Sequence, residues 1–398
     1  MNYHIFILGC QYNYYDAKRI THLLEKMGYV LGTEKDADLI IVLACSVKQK
    51  SVDRIYGKIH NWNKLPQKPK IIVSACILEN DKKRLKDRVM AIVDINQLLN
   101  GKLVNLLVRV SNKQSSNIQL YSEGLSFRVK SEMNNSYLPK GESKKTVYIP
   151  IMQGCDNYCT YCAVPYTRGR EVSRPEKEII KEINTQLKSG YKKILLLGQN
   201  VNSWNKKSLI TYPICHSDGA NATEEFRIGD TSLSLSMTTE LPFAKLLQKI
   251  DRIPGDFSFN FMSSNPHDFT NDLIEKLSKL TKWEKVLHLP MQSGDNKILK
   301  KMNRKYNANQ YCELITNLKS RISNLQLSTD VIVGFPSETK VQFQNTVKIC
   351  KKIGFCKVFV SQYSPRPNTV SATTMVDNIT KEEKKRRWDI LNNLINKK

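Results

Sequence analysis

The stretch TVYIPIMQGCDNYCTYCAVPYTRGR, residues 146–170, joins an apolar run to a loop that contains three cysteines. Cys155, Cys159 and Cys162 follow a C-x3-C-x2-C pattern, and no fourth cysteine or histidine lies beside them. A structural zinc site normally has four protein ligands, so this group is one ligand short. Thiolates also bind iron–sulfur clusters, and three of them on a [4Fe–4S] cube leave one iron open. The spacing therefore predicts a reactive iron–sulfur cluster.

Six apolar runs alternate with helical patterns from Thr146, just before this loop, to the C-terminus. The predicted strands lie in TVYIPIMQG, KKILLLGQN, FSFNFMSS, KVLHLPMQS, LSTDVIVGF and KVFVSQYS. Alternating strands and helices indicate an α/β fold, and six parallel units predict a partial (β/α)6 barrel rather than a closed eightfold one. We expect this core at 145–375, with a polar insertion at about 205–240 and a basic C-terminal helix at 376–398. The barrel chemistry is expected where the strands end.

Three further apolar runs, YHIFILGC, ADLIIVLACS and KIIVSACIL, precede the barrel and alternate with helical patterns. They predict an N-terminal parallel α/β sheet domain over 1–120, followed by a linker at 121–144. Each run ends in a cysteine: Cys10, Cys45 and Cys76. Parallel strands end at the same edge of a sheet, so these thiols are expected to converge. Burial as small apolar residues is the alternative, and the repetition in three units favours ligation.

The net charge of +25 predicts a polyanionic partner, most simply nucleic acid, although a general bias towards lysine explains the charge equally well. No apolar run reaches membrane-spanning length, and the N-terminus lacks the pattern of a secretory signal. The expected location is therefore cytoplasmic, without a membrane partner. Ten cysteines in a reducing compartment are better explained as ligands, reactive thiols or core residues than as disulfides.

The cysteine loop resembles that of the radical S-adenosylmethionine (SAM) enzymes. In that family the open iron binds SAM through its amino and carboxylate groups. An electron from the cluster cleaves SAM to a 5′-deoxyadenosyl radical, which removes an unactivated hydrogen. The resemblance therefore implies SAM as a cofactor beside the Cys155–Cys162 cluster, in a radical SAM barrel.

A longer set of motifs is similar to the methylthiotransferase family within that group. It comprises GCQYNYYDA, ACSVKQKSVDRIYG, QGCDNYCTYCAVPYTRGREVSRP, LLLGQNVNSW, LHLPMQSGDNKILKKMNRKY, STDVIVGFPSET and SQYSPRPNT. GQNVNSW and CSVKQKSVDR look most like the tRNA branch, the tRNA-2-methylthio-N6-dimethylallyladenosine synthases. The resemblance implies that Cys10, Cys45 and Cys76 hold a second [4Fe–4S] cluster. It also implies methylthiolation of C2 of N6-dimethylallyladenosine at position 37 of tRNA, an electron donor such as flavodoxin or ferredoxin, and a sulfur donor.

Four residues at or just beyond predicted strand ends are expected near SAM or the substrate: Gln199, Asn200, Gln292 and Ser293. The segment DVIVGFPSET resembles the family segment that passes near the adenosine of SAM, and this resemblance implies the same for Gly334 and Glu338. For Gly334 and Glu338, an ordinary strand–turn–helix with an acidic first turn is an equally good interpretation. Cations in two clusters are candidates for contacts with RNA phosphates, with an exposed charged face as the alternative. They are Arg168, Arg170, Arg174, Lys300, Lys301 and Arg304.

The sequence departs from the family in three places. Family members continue into a C-terminal TRAM domain, whereas this chain stops at Lys398, so we expect that domain to be absent. The segment FMSSNPHD matches the family only loosely, which argues against a substrate role for His267. The insertion before Leu241 is long, and its Cys215 and His216 are more often incidental than ligands.

Two other functions stay open. One keeps the chemistry but acts on a threonylcarbamoyladenosine tRNA or on an aspartate of a ribosomal protein, and the GQNVNSW segment argues against it. The other is an inactive iron–sulfur or RNA-binding module, and the six intact cysteines argue against it.

Overall fold

The computed structural model describes residues 1–45, 49–111, 146–206 and 241–396. The predicted linker at 121–144 and most of the predicted insertion, with Cys215 and His216, lie outside these ranges. Within them, no helix combines the length and the apolarity that crossing a bilayer requires.

The N-terminal unit contains five parallel strands in the order β2-β1-β3-β4-β5. The strands are β1 Asn2–Ile7, β2 Val30–Leu31, β3 Leu39–Cys45, β4 Lys70–Cys76 and β5 Ala91–Ile92. The helices are α1 Gln11–Lys26, α2 Gln49–Trp62, α3 Glu79–Leu85, α4 Ile95–Gln97 and α5 Leu103–Ser111, with a 3-10 turn at Lys86–Arg88 and a π-turn at Leu98–Lys102. This confirms the predicted parallel sheet.

Helices cover both faces of this sheet. Along β3, Ile41 and Leu43 belong to one apolar cluster, whereas Ile40 and Val42 belong to another. Successive side chains of a strand point to opposite faces, so the two clusters lie on opposite sides of the sheet. Every residue of β3 is buried, which explains why its sequence is continuously apolar rather than alternating.

The second unit is an open barrel of six parallel strands that follow one another in sequence order. These strands are β6 Thr146–Pro150, β9 Lys193–Leu197, β10 Ser258–Phe261, β11 Val286–His288, β12 Gln326–Val333 and β13 Lys357–Gln362. They form two three-stranded sheets, and a parallel bridge between Phe259 and Trp283 lies at the junction. The predicted partial barrel of six units is therefore confirmed.

Helices and short connections complete the barrel. The helices are α6 Val164–Arg168, α7 Glu176–Lys188, α8 Pro242–Asp251, α9 Asn271–Ser278, α10 Asn296–Lys301, α11 Ala308–Arg321, α12 Lys340–Ile353, α13 Val370–Thr374 and α14 Lys381–Asn396. Two 3-10 turns lie at Val201–Ser203 and Pro266–Asp268, and an antiparallel ribbon joins β7 Met152–Gln153 to β8 Val172–Ser173.

The C-terminal helix α14 packs on the barrel. Leu391 is fully buried in the barrel core, and the Trp388 Nε1 donates to the Val360 carbonyl at 2.9 Å. The Arg387 guanidinium lies 2.7 Å from the Glu338 carboxylate, and both side chains are buried. One face of this basic helix therefore belongs to the protein interior.

The two units meet along helix α1. Its Tyr12 and Tyr15 form one buried cluster with Tyr148 of β6 and with Leu195 and Leu197 of β9. This contact places the N-terminal sheet beside the strand that leads into the cysteine loop.

Candidate active site

The loop that carries Cys155, Cys159 and Cys162 starts at a glycine that no other residue can replace without strain. Gly154 has φ +81°, and a Cβ there would lie 2.1 Å from the Arg170 carbonyl oxygen. The N–H of Gly154 donates to the Gln199 side-chain oxygen at 2.7 Å, and the N–H of Cys155 donates to the Gly169 carbonyl at 3.3 Å. Gln199 thus connects the end of β9 to the start of the loop.

The end of helix α10 and the residues directly after it anchor the middle of the loop. The Thr160 hydroxyl donates to the Lys301 carbonyl at 2.9 Å, and the Asn303 amide donates to the Tyr158 carbonyl at 3.0 Å. The N–H of Ser371 donates to the Thr160 carbonyl at 2.8 Å. Three separate parts of the barrel therefore fix this loop in position.

Each sulfur of this triad accepts a hydrogen bond from nitrogen. The Asn157 amide lies 3.3 Å from the Cys155 sulfur, the Arg304 Nη1 lies 3.2 Å from the Cys159 sulfur, and the Val164 N–H lies 3.5 Å from the Cys162 sulfur. Such donors stabilise thiolate ligands and tune the potential of a cluster. Three soft ligands with their own donors are a set that fits a [4Fe–4S] cluster.

Burial affects the protonation of these thiols. It raises the pKa of Cys155, and it raises the pKa of Cys162 to about 12, with the neighbouring Cys159 adding to the second shift. Both groups are therefore neutral thiols until a metal displaces their protons. Among the described ranges, no three His, Cys, Asp or Glu side chains are grouped so that they could hold a metal ion. The fit to a [4Fe–4S] cluster therefore rests on the three soft ligands and their N–H donors.

The N-terminal triad lies at one edge of the sheet. Cys45 and Cys76 are the last residues of β3 and β4 and are direct register partners. Burial raises the pKa of Cys76, and proximity to Cys10 raises it further, against the opposing effect of the Arg168 charge. Gly9, which precedes Cys10, packs against Cys45, so the three cysteines lie at the same edge of the sheet, and their role as ligands stays a prediction.

The prediction that Cys10 ends a strand is wrong. Strand β1 ends at Ile7, and Cys10 is the N-terminal cap of helix α1. The chain crosses the strand end through Leu8 and Gly9, and a Cβ at Gly9 would lie 2.9 Å from the Cys45 Cβ. Glycine permits this close approach, so Cys10 reaches the site from a loop and not from a strand.

Polar atoms without partners line the ends of three neighbouring barrel strands. Four buried side chains each have one atom without a hydrogen bond within the described part of the chain: Asn200 Oδ1, Asn202 Nδ2, Ser264 Oγ and Gln292 Oε1. They follow β9, β10 and β11, and Gln292 has a φ of +67°. Unsatisfied buried groups are costly and need a reason, and a polar ligand at this mouth would satisfy them. The residues thus fit a ligand with many polar groups, such as SAM.

Asn202 and Ser264 were missed by sequence reasoning. The signal was available, because both lie in polar segments directly after predicted strands, in GQNVNSW and in FMSSNPHD. His267, in the second segment, is exposed. Of the predicted pair Gln199 and Asn200, the second also donates to the Asp268 carboxylate at 2.8 Å.

Ser293, Gly334 and Glu338 take part in packing contacts. The fully buried Ser293 hydroxyl accepts from the Asp295 N–H at 3.2 Å. The Gly334 N–H donates to the Glu338 carboxylate at 2.7 Å, and that carboxylate also pairs with Arg387 of α14. These contacts match the strand–turn–helix interpretation, and contact with SAM or substrate at these three positions stays a prediction.

The predicted RNA-binding cations fall into two groups. Arg170, Lys300 and Lys301 are exposed. Arg168 and Arg174 are buried, whereas Arg304 is half-buried. Arg174 pairs with the Glu182 carboxylate at 2.8 Å, Arg304 contacts Cys159, and Arg168 contacts Cys76 at 3.0 Å. The expectation of phosphate contacts is therefore corrected for these three, because their guanidinium groups have protein partners.

Comparisons with known proteins agree with this architecture. Residues 149–350 match the radical SAM superfamily, and residues 2–95 match the uncharacterized protein family UPF0004. In fold, the chain is similar to the radical S-adenosylmethionine methyltransferase TsrM of Kitasatospora setae, with a TM-score of 0.58 at 11% identity. That similarity covers 93% of this chain and 75% of TsrM.

Two curated relatives carry the same name, tRNA-2-methylthio-N(6)-dimethylallyladenosine synthase. The protein of Buchnera aphidicola is 37% identical, over 98% of this chain and 82% of its own length. The protein of Fusobacterium nucleatum is 35% identical, over 99% of this chain and 83% of its own length. The chain therefore belongs to the radical SAM superfamily and, within it, to the tRNA-2-methylthio-N(6)-dimethylallyladenosine synthase family of radical SAM methylthiotransferases.

Proposed function

We propose that this protein transfers a methylthio group to C2 of N6-dimethylallyladenosine at position 37 of tRNA, using two [4Fe–4S] clusters and SAM. The observation that carries the proposal is the grouping of six cysteines at two sites on adjoining units, with Arg168 reaching from one to the other. In this proposal an N-terminal domain at 1–120 holds one cluster, and a core at 145–375 holds the other. The substrate comes from the names of the relatives.

The target bond explains the need for radical chemistry. The hydrogen on C2 of an adenine ring is not acidic, so a general base of ordinary pKa would not remove it. A bound cluster and SAM supply a radical that is able to do so. The protein would hold these groups: Cys155, Cys159 and Cys162 would bind the cluster, and Arg304 and Asn157 donate to two of the three sulfurs.

The unsatisfied polar atoms would orient SAM and the base. Asn200 and Gln292 each offer a buried acceptor, and Asn202 and Ser264 offer donors, at the mouth of the barrel. Cys10, Cys45 and Cys76 would hold the second cluster, which by resemblance carries the sulfur to be transferred. Both triads are needed in this proposal, because one serves hydrogen removal and the other serves sulfur transfer.

Exposed cations lie next to the cysteine loop in sequence or in space. Arg170 follows the loop, and the Lys301 carbonyl oxygen accepts the hydrogen bond from the Thr160 hydroxyl that anchors the loop. With Lys300, these side chains would hold phosphates of the anticodon loop while the modified base enters the barrel. Other partners in this proposal are an electron donor such as flavodoxin or ferredoxin, and a sulfur donor.

The proposal is tested under anaerobic conditions. The protein is reconstituted with iron and sulfide and is then given SAM, a reductant and tRNA that carries N6-dimethylallyladenosine at position 37. Nucleoside mass spectrometry should detect the 2-methylthio product, and a Cys159→Ala variant should give none. Product only from a tRNA with threonylcarbamoyladenosine at that position would support the related activity instead. Cleavage of SAM without product from either tRNA would point to another substrate.

A further inference from the structure

Arg168 belongs to the barrel but places its guanidinium in the N-terminal cysteine site. It ends helix α6, which starts two residues after Cys162. Its Nε donates to the Cys76 sulfur at 3.0 Å, and its Nη2 donates to the Asn13 side-chain oxygen at 2.9 Å. Only 2% of the Arg168 side chain is exposed. A residue of the barrel is therefore part of the N-terminal cysteine site.

Asn13 extends this contact to the other two cysteines. Its side-chain N–H group donates to the Leu8 carbonyl at 2.7 Å and to the Ala44 carbonyl at 3.1 Å. Leu8 lies in the loop that leads to Cys10, and Ala44 precedes Cys45. Through Asn13 and Arg168, the segments that carry all three cysteines are fixed relative to one another.

The charges around Arg168 are those expected beside a thiolate. The buried guanidinium at 3.0 Å supplies a positive charge and an N–H donor to the Cys76 sulfur, which is the environment that suits a thiolate bound to iron. The nearest carboxylate, Asp16, lies 3.5 Å away, farther than the sulfur.

One donor of the guanidinium remains unused. Arg168 Nη1 is buried and has no hydrogen-bond partner within the ranges that the structure describes. A buried donor without an acceptor is costly. A sulfur-rich ligand held by the neighbouring cysteines would supply the missing acceptor.

We propose that Arg168 is a positioning residue for the N-terminal cluster, and that it makes the reduction potential of that cluster less negative by holding the Cys76 sulfur. The inference rests on the second cluster of the proposed function. A positive charge and N–H donors at a ligand sulfur favour the reduced state, which carries one more negative charge. If Arg168 only joined the two units, its replacement would change stability but not the potential.

The test uses a full-length background protein in which only the N-terminal triad remains, made by Cys155→Ala, Cys159→Ala and Cys162→Ala. After anaerobic reconstitution, iron content and the midpoint potential are measured, the latter by a redox titration followed by electron paramagnetic resonance. The background should bind about four irons per chain. Adding Arg168→Gln should make the potential more negative or lower the iron content at least twofold. Adding Arg252→Gln, which removes an exposed arginine directly after helix α8, should change neither.

If Arg168→Gln does not fold, the same measurements are made on Arg168→Lys. Arg168→Lys keeps the buried charge but cannot donate to Cys76 and Asn13 with a planar fork, so it should also move the potential to a more negative value. Iron content and potential equal to the background, in whichever of the two variants folds, would overturn the role of Arg168. A background protein that binds no iron would instead overturn the second cluster itself, and this inference with it.

Discussion

The guanidinium of Arg304 donates to the Cys159 sulfur at 3.2 Å and to the Asn265 side-chain oxygen at 3.1 Å. Its Nε also donates to the Tyr306 hydroxyl at 3.0 Å, and that hydroxyl donates to carbonyls at the end of β11. One side chain thus connects the cysteine loop to the ends of two barrel strands. Charge and hydrogen bonding therefore hold the cysteine loop against the barrel.

Replacing Arg304 should slow the cleavage of SAM. A hydrogen bond that involves a charged group contributes about 1.5–3 kcal/mol, so its loss at the Cys159 sulfur should reduce the rate by about tenfold or more. The measurement is the rate of 5′-deoxyadenosine formation by Arg304→Gln with dithionite as the reductant. Lys300→Gln is the control, because Lys300 is exposed on the preceding helix. Equal rates in both variants would contradict the role given to Arg304.

Replacing Gly154 should be far more damaging than replacing another glycine of similar backbone conformation. Gly154 and Gly190 have φ of +81° and +88°, but only at Gly154 would a Cβ meet backbone atoms. Gly190→Ala should lower the free energy of unfolding by about 1 kcal/mol, because alanine is strained in a left-handed backbone conformation. Gly154→Ala should add the steric clash and lower the iron content of the barrel site. The comparison requires thermal unfolding and iron analysis, and similar values for the two variants would refute it.

Exposed cations near the cysteine loop should affect tRNA binding but not SAM chemistry. The triple variant Arg170→Gln, Lys300→Gln and Lys301→Gln removes three positive charges, so binding should weaken and its dependence on salt should become less steep. Fluorescence titrations with tRNA at several salt concentrations measure both quantities. Lys188→Gln, at the end of α7, is the control for loss of one exposed charge. An unchanged salt dependence in the triple variant would place the RNA elsewhere.

The helix α14 contains a matched pair of arginines with different expected effects. Arg387 pairs with the buried Glu338, whereas Arg386 is exposed and pairs with Glu383. Removing one partner of a buried pair leaves an uncompensated charge and typically costs about 3–5 kcal/mol. Arg387→Ala should therefore lower the midpoint of thermal unfolding clearly. Arg386→Ala should change it little, since exposed pairs contribute about 0–1 kcal/mol. The prediction fails if Arg386→Ala is the more destabilising variant.

The apolar runs of the sequence predicted the strands well. Buried parallel strands such as Leu39–Cys45 are apolar at nearly every position, and this signal is local to the segment. The C-x3-C-x2-C loop was equally clear, because its ligands lie within eight residues. The error at Cys10 is also local. The chain turns at Leu8 and Gly9 after the strand has ended, and the apolarity of the run does not show where the strand ends.

The contacts of the arginines could not be predicted from the sequence. Arg168 meets Cys76 across 92 positions of the chain, and Arg304 meets Cys159 across 145. A run such as TRGREVSR reveals charge but not which guanidinium the fold buries, because burial depends on how the two units pack. For the same reason, the pairing of Glu338 with a helix near the end of the chain was not visible, whereas its place after a strand was.

In the proposed function, the two cysteine triads serve different steps. The direct measurement compares Cys45→Ala and Cys159→Ala with the unaltered protein in one anaerobic reaction, with 5′-deoxyadenosine and the 2-methylthio nucleoside quantified by mass spectrometry. We predict that Cys45→Ala still cleaves SAM but forms no methylthio product, and that Cys159→Ala does neither. Full methylthiolation by Cys45→Ala would contradict the assignment of the N-terminal triad to sulfur transfer.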